Sequence, residues 1–492
     1  MIAVCPAIGF VLVGLLWLGG IGVSISQAAW VRSRGMASHI ALGLVALTAL
    51  LAGLYWPGSA GTSLAGGGFH LDGFAIFVQF FVLLGALFCL LLGRHDREHW
   101  PPGSDGLLLL AAAGLVMLSM AVDLVGILAG LLAALMPLWG LAALRVRPHG
   151  RESALKSALL GGLGAVLLGM GAGLLAARCG TTTLEGLRAC LEGGPWIGQD
   201  PTKVVALSLV IAGLCMFVAA VPLHMWFTDA VEGLPSPASL LLGGCWLAAS
   251  LAATARVLLV GLKPVAQSGP GYLDWTSVLH VIGMLTLLAG NAMALVQPRL
   301  KRMLASLAAG QSGMVLITLA AAAGLQERAD LERAVGGVLV FLAVHAISWV
   351  GLFVAVGVIE LGDGDDPKVN RLDGLARCRP GLAAAIGLSL LCMAGMPLTA
   401  GFFPRIYLLQ TMIEVGWISS AILVALSLGL VLVMCLGLVA AMVMRPGSPE
   451  GEIRTSPYLT IMAWMSALAI LCLGIMPGWM LEIGQRSAGA LF

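Results

Sequence analysis

The chain has 492 residues, of which 60% are hydrophobic and only 10% charged, with a formal net charge of +2. A soluble domain averages roughly 25% charged residues, so a soluble globular fold is excluded. Nothing in so small a charge excess points to nucleic acid as a partner.

Apolar runs of about 20 residues are each long enough to cross a bilayer. In chain order they predict fourteen spans, over 2–30, 38–56, 71–93, 105–121, 123–144, 153–177, 203–221, 238–261, 274–296, 303–325, 334–360, 380–413, 417–444 and 457–481. The expected fold is therefore an all-α polytopic membrane protein, and the 66 glycines suit closely packed membrane helices. The first apolar run has no basic stretch before it and many spans after it, so it reads as a helix and not a cleaved signal.

Lys and Arg set the expected orientation. Turns after odd-numbered spans hold seventeen of them, from Arg32 and Arg34 through Arg94, Arg97, Arg145, Arg147, Arg151 and Lys156 to Arg445 and Arg454. Turns after even-numbered spans hold six: Arg178, Arg188, Lys203, Lys263, Arg328 and Arg333. The odd-numbered turns are expected in the cytoplasm, and both termini on the other side of a bacterial inner membrane. Of ten cysteines, none forms a CxxC or a metal-ligand spacing. Cys179 and Cys190 share one polar loop and could pair if that loop faces an oxidising compartment.

Two spans are interrupted. The seventh contains Pro222, which removes a backbone donor and must break or kink the helix. The twelfth contains Pro397, Gly401 and Pro404, and both Pro397 and Pro404 are read as breaks. Interrupted spans in corresponding places of two halves point to an inverted repeat with a substrate path between them. Five-span units 4–8 and 9–13 would have opposite topology. The implied division of the chain is 1–104, 105–265, 266–445 and 446–492.

Ionisable residues at membrane depth are costly and read as functional. His224, Asp229 and Glu232 follow the first break. A histidine titrates near neutrality and can pass a proton either way, although these side chains could also serve only the backbone groups that the break exposes. His280 and His345 lie within spans 9 and 11, as structural residues or as relays. Lys301 and Arg302 begin span 10, as a cytoplasmic anchor or as part of the path. Arg405, in the second break, should need a carboxylate or water, with Glu414 further along the chain as a candidate. Asp72 and Asp123 start spans 3 and 5, where an N-capping role is favoured. No nucleotide, flavin, haem or iron–sulfur motif is present, so no cofactor is expected, and the energy must come from an ion gradient or a partner.

PLHMWFTDAVEGLPSPAS (222–239), VQPRLKRMLASLAAGQSGMVLI (296–317), VHAISWVGLF (344–353) and RLDGLARCRPGLAAAIGLSLLCMAGMPLTAGFFPRIYLL (371–409) together resemble one family. It is the antiporter-like membrane subunits of respiratory complex I and of Mrp-type cation/proton antiporters. The resemblance runs from about Leu71 to Leu409. The VEGLPSP and LMPLWGL wording leans toward the member nearest the quinone module, and His345 toward the more distal ones. The resemblance implies a proton-translocating subunit among other membrane subunits, with a central row of Glu and Lys.

Three of those charged positions are apolar here. The span-5 glutamate falls on Leu132, the span-7 lysine on Phe217 and the span-8 lysine at about Ala248. Arg405 alone keeps a charge, and arginine is a poor proton shuttle. Two readings of a complex I-type subunit stay open: partial translocation by histidines and water, and a structural homologue that no longer conducts. A third is a separate antiporter, or the membrane half of an ion-coupled inorganic-carbon uptake system. The transported ion is expected to be the proton, with Na+ as the alternative.

Overall fold

The computed structural model describes residues 8–29, 34–55, 62–64, 67–95, 100–144, 148–193, 200–266, 274–363, 368–446 and 456–492. The stretch before the first span and Arg32, Arg97, Arg145, Arg147 and Arg454 lie outside them. The described chain is almost wholly helical. Eleven helices are long and apolar enough to cross a membrane, from Val11–Ala28 to Pro457–Ile475. Three shorter apolar helices, Ser104–Met120, Pro201–Phe217 and Pro380–Ala394, fill the remaining expected places. The protein is an integral membrane protein, with partly exposed outer helices around largely buried central ones: Ser236–Gly261 and Leu300–Ala322 are buried over nearly their whole lengths, Arg302 being the main exception.

The turns sort into two faces. Turns after even-numbered spans bond one another: Phe69 bridges Ala121, Asp123 bridges Thr183, and Lys263 Nζ donates to the Leu325 carbonyl at 3.3 Å. Turns after odd-numbered spans do the same, with Arg299 bridging Lys368 and Arg445 pairing with Asp373 at 3.3 Å. Asp105 joins spans 1, 2 and 4 on this odd face, accepting from Gln27 at 2.6 Å, from Trp100 at 2.8 Å and from Ser38. The spans therefore alternate in direction as the sequence pattern requires. Spans 7 and 12, five apart, run opposite ways.

On the even face the loop between spans 6 and 7 carries a short helix, Leu184–Gly193, fixed by the Cys179–Cys190 disulfide. Asp123 caps span 5 as expected, accepting from Val125 N at 2.6 Å. Asp72 also caps, accepting from Ala75 N at 2.7 Å. It does more than that. The Arg256 guanidinium grips it with two bonds, at 2.8 and 3.0 Å, reaches the Ser119 carbonyl at 3.3 Å and lies 4.8 Å over the Phe74 ring. Both side chains are 3% exposed. This ion pair fastens spans 3, 4 and 8 at the even face, a contact that no local sequence pattern announces.

Removing one partner of a buried ion pair strands the other charge, at a cost of about 3–5 kcal/mol. Arg256→Met is expected to destabilise the purified chain by that amount in detergent unfolding. Asp72→Leu with Arg256→Met should cost clearly less than the two single changes added together, because no lone charge is left.

Candidate functional site: the two broken helices and the polar centre

Span 7 is Pro201–Phe217 followed by Met225–Gly233, and span 12 is Pro380–Ala394 followed by Phe402–Glu414. Both first halves end in one hydrogen-bond pattern. In span 12, Gly395 at φ +79° donates to the Cys392 carbonyl and Met396 to that of Leu391. In span 7, Ala219 at φ +57° donates to Met216 and Ala220 to Cys215. This is the Schellman closure, which normally places glycine at the left-handed position. Span 12 obeys the rule and span 7 puts an alanine there. Pro222 and Pro397 lie inside the breaks as predicted. Pro404 does not break the helix: it is the third residue of the second half, where a missing N–H costs nothing.

The carbonyls at the two breaks also take side-chain donors, of different kinds in each. In span 7 they are two indoles. Trp226 Nε1 donates to the Met216 carbonyl at 2.8 Å and Trp246 Nε1 to that of Phe217 at 3.1 Å. The Val221 amide donates to Thr286 Oγ1 at 2.9 Å. The rings of Phe217, Trp226 and Trp246 meet edge to face, with centroids 6.1 and 6.4 Å apart, and are fully buried. His224 and Asp229 make none of these bonds; the indoles take those carbonyls, and His224 has Pro222 of the break as its backbone partner.

In span 12 a cation does the same work. Arg405 Nη1 donates to Gly401 O at 2.6 Å and Cys392 O at 3.3 Å; Nη2 donates to Met393 O at 2.5 Å and to Gln311 Oε1 at 3.0 Å. The positive charge thus sits at the negative end of a helix dipole, 5.1 Å over the Phe341 ring. The carboxylate expected beside Arg405 is replaced by carbonyls and an amide. Glu414 pairs instead with Arg333 at 2.9 Å on the even face.

His345 completes this centre. Span 8 widens into a π-helical turn at Leu241–Trp246, and His345 Nε2 donates to the Gly243 carbonyl there at 3.0 Å. Gly243 is needed because a Cβ would collide with the Trp349 ring. Phe341, under Arg405, is one turn before His345 on the same helix face. His345 Nδ1, Gln311 Nε2 and Arg405 Nε are buried without a hydrogen-bond partner among the described residues. On the far side of Gly243 the polar groups give way to the Phe217–Trp226–Trp246 cluster. At the other positions where the family would place charge, Leu132 is half-buried and Ala248 buried.

The other predicted residues are dispersed. His224 flanks the span-7 break beside exposed Pro222 and Met225. His280 lies near the even face, stacked 4.1 Å from Trp417 and bonded to Ser420 at 2.7 Å, apart from the polar centre. Asp229 and Glu232 reach the odd face. Arg302 binds Asp229 at 2.6 Å and Glu232 at 3.3 Å, Arg299 binds Glu232 at 2.6 Å, and Lys156 lies 3.6 Å from Asp229. These residues line a cavity of about 200 Å³. Lys301 turns inward from its neighbour Arg302 and meets Glu360 at 2.7 Å, with Lys301 2% exposed and Glu360 11%. Glu360 was missed in the sequence, where it reads as the polar end of span 11. The available signal was Lys301–Arg302 itself: adjacent helical residues point about 100° apart, so both cannot anchor to one surface.

Residues 121–431 match the family described as NADH:quinone oxidoreductase/Mrp antiporter, TM. The chain belongs to this family. Among antiporter-like relatives it is 31% identical to NADH-quinone oxidoreductase subunit N 1 of Sorangium cellulosum, covering 93% of this chain and 92% of that one. It is 28% identical to subunit N 2 of Rhizobium meliloti, covering 90% and 88%. Respiratory complex I of Thermus thermophilus contains a similar chain, at TM-score 0.77 and 26% identity, covering 96% and 98%. A chain of the Mrp complex of Dietzia superposes at TM-score 0.85 with 20% identity over 98% and 97%, a likeness of fold alone.

The left-handed positions give a paired test. Ala219→Gly should raise stability by up to about 1 kcal/mol, since glycine takes positive φ without penalty. Gly395→Ala should cost more than about 1 kcal/mol, because its Cβ would also lie 2.7 Å from Arg405 Cδ. Unfolding of the two variants in detergent should shift in opposite directions.

Proposed function

We propose that the chain is a membrane-arm subunit of a complex I-type NADH:quinone oxidoreductase, packed among other membrane subunits in a bacterial inner membrane. In this reading it contributes to proton translocation through its second half. One observation carries the reading: Arg405, Gln311 and His345 make a buried polar centre at the break of span 12, with polar atoms that find no partner among the described residues. Buried groups of this kind are normally completed by ordered water, and water beside an imidazole is a proton path. Arg405 keeps its proton. Its role is a fixed charge that orders water and sets the electrostatic cost of a proton at His345. His224, Asp229, Glu232, His280 and Lys301 lie at the flanks and mouths of such a path.

A second reading has its own support. The aromatic cluster around Phe217 offers no titratable group where the first half would need one, as a non-conducting homologue would have it. The two readings separate in proteoliposomes holding the whole complex. His345→Ala and Arg405→Gln are each expected to lower the protons moved per electron while assembly and quinone reduction persist. Unchanged proton stoichiometry in both assembled variants leaves only the structural role.

The proposed orientation puts the odd face in the cytoplasm. It is supported by the excess of Lys and Arg there and by the Cys179–Cys190 disulfide on the opposite face, where an oxidising compartment would preserve it. Cys378 is an exposed thiol in the odd-face turn between spans 11 and 12. A membrane-impermeant maleimide should label Cys378 in inverted vesicles and spare it in right-side-out spheroplasts; the reverse pattern inverts the assignment.

A further inference from the structure

The second half of span 7, Met225–Gly233, lies between the starts of spans 6 and 10. Ser153 Oγ of span 6 donates to the Asp229 carbonyl at 2.9 Å, and Arg302 of span 10 holds the Asp229 side chain. At 1.5 Å per residue this half-helix is about 13 Å long, close to half of a hydrocarbon core about 30 Å thick. It therefore crosses one leaflet, from the break to the odd face.

The outward side of this region has two characters. Pro222 and Met225, at the break end, are exposed and apolar, whereas Asp229 and Glu232, further along the side that carries Met225, line the cavity of about 200 Å³. Span 6 repeats the pattern. Glu152 and Lys156 line the cavity, and Leu159 and Leu163 continue the same helix face into the bilayer as exposed side chains. A charged pocket at the surface of one leaflet, with an apolar strip of that leaflet's depth beneath it, has the layout of a phospholipid.

The charges of the cavity narrow the headgroup. Lys156, Arg299 and Arg302 balance Glu152, Asp229 and Glu232, and the signs alternate around the wall. Lys156 lies 2.7 Å from Glu152 and 3.6 Å from Asp229, Arg302 bridges Asp229 and Glu232, and Arg299 meets Glu232. Half-exposed ion pairs add little to stability, so folding alone does not account for so dense a cluster around a cavity. A guanidinium has five N–H donors and a carboxylate about four acceptor sites, and such pairs can serve a polar ligand as well. An anionic headgroup would leave a surplus negative charge in a balanced site. A choline headgroup has no N–H to give the carboxylates. A phosphate carrying a primary ammonium satisfies both signs, its oxygens accepting from Arg and Lys and its three N–H groups donating to Asp and Glu.

We propose that this groove binds one phosphatidylethanolamine of the odd-face leaflet, with the headgroup in the cavity and an acyl chain along Met225, Leu159 and Leu163. The proposal needs only the membrane setting and holds whether or not protons cross the chain. The bound headgroup links spans 6 and 7 to the turn between spans 9 and 10.

The test strips the full-length chain of lipid in detergent and titrates it with phosphatidylethanolamine, phosphatidylglycerol or phosphatidylcholine of the same acyl chains, reading bound lipid by native mass spectrometry. One phosphatidylethanolamine should be held roughly tenfold more tightly than either of the others, the margin of one charge-assisted hydrogen bond. Asp229→Asn with Arg302→Gln removes one charge of each sign, keeps the balance and should erase that preference. Should this variant fail to fold, Glu152→Gln with Lys156→Met, both at exposed positions, takes its place. A phosphatidylethanolamine with a photoreactive acyl chain, added to the intact complex in vesicles, should label peptides containing Met225 or Leu159. Equal retention of the three lipids by the wild-type chain overturns the site, as does a preference unchanged in the folded variant. Crosslinking of Met225→Cys to a neighbouring subunit, with no lipid label there, gives the groove to a protein partner and overturns it too.

Discussion

Two transmembrane helices are broken inside the bilayer, and every carbonyl those breaks release must find a donor within the protein. In hydrocarbon, an unsatisfied peptide group costs several kcal/mol and no solvent is present to relieve it. The chain meets this demand twice with the same local solution, a Schellman closure at Ala219 and at Gly395. The surrounding helices then supply the remaining donors. Much of the interior follows from where those donors come from. Span 8 brings Trp246 to one break and, three residues earlier in its π-helical turn, presents Gly243 to His345. Span 9 brings Thr286, and span 10 brings Gln311.

The choice of donor separates the halves of the molecule. An indole N–H satisfies a carbonyl and brings a large apolar body with it. Two of them beside Phe217 surround the span-7 break with aromatic rings. A guanidinium satisfies several carbonyls at once but brings a charge, and the charge must be balanced by dipoles. In span 12 the C-terminal carbonyls of the first half-helix and the Gln311 oxygen provide that balance. The same backbone problem therefore yields a buried aromatic cluster in one half and a polar centre in the other.

The fold was legible in the sequence because bilayer thickness fixes span length and charge fixes direction, and neither depends on contacts. Pro222 and Pro397 were legible for a similar reason, since a proline acts on its own helix. Pro404 was misread because its effect depends on its place in the helical turn. The partners of the charged residues were not legible: Asp72 meets Arg256 across 184 positions, and no local pattern announces such a contact. Asp229 and Glu232 read as deep groups because apolar sequence surrounds them. They are held instead by Arg299 and Arg302, from a turn far along the chain. The missing family charges at Leu132, Phe217 and Ala248 could be read directly, but what replaced them required the tryptophan geometry.

The two buried ion pairs occupy opposite ends of span 8 and differ in what surrounds them. Arg256 and Asp72 are both 3% exposed: the two terminal guanidinium nitrogens are engaged, the carboxylate also caps a helix, and an aromatic ring covers the cation. Changing the protonation of either would break several bonds at once, so this pair is suited to holding spans together. Lys301 and Glu360 are less enclosed. Glu360 keeps 11% of its side chain exposed, its second oxygen needs only a serine hydroxyl, and a charged cavity lies one residue away. Both pairs pack against span 8, one sealed beneath an aromatic ring and the other with an edge of its carboxylate open at the odd face.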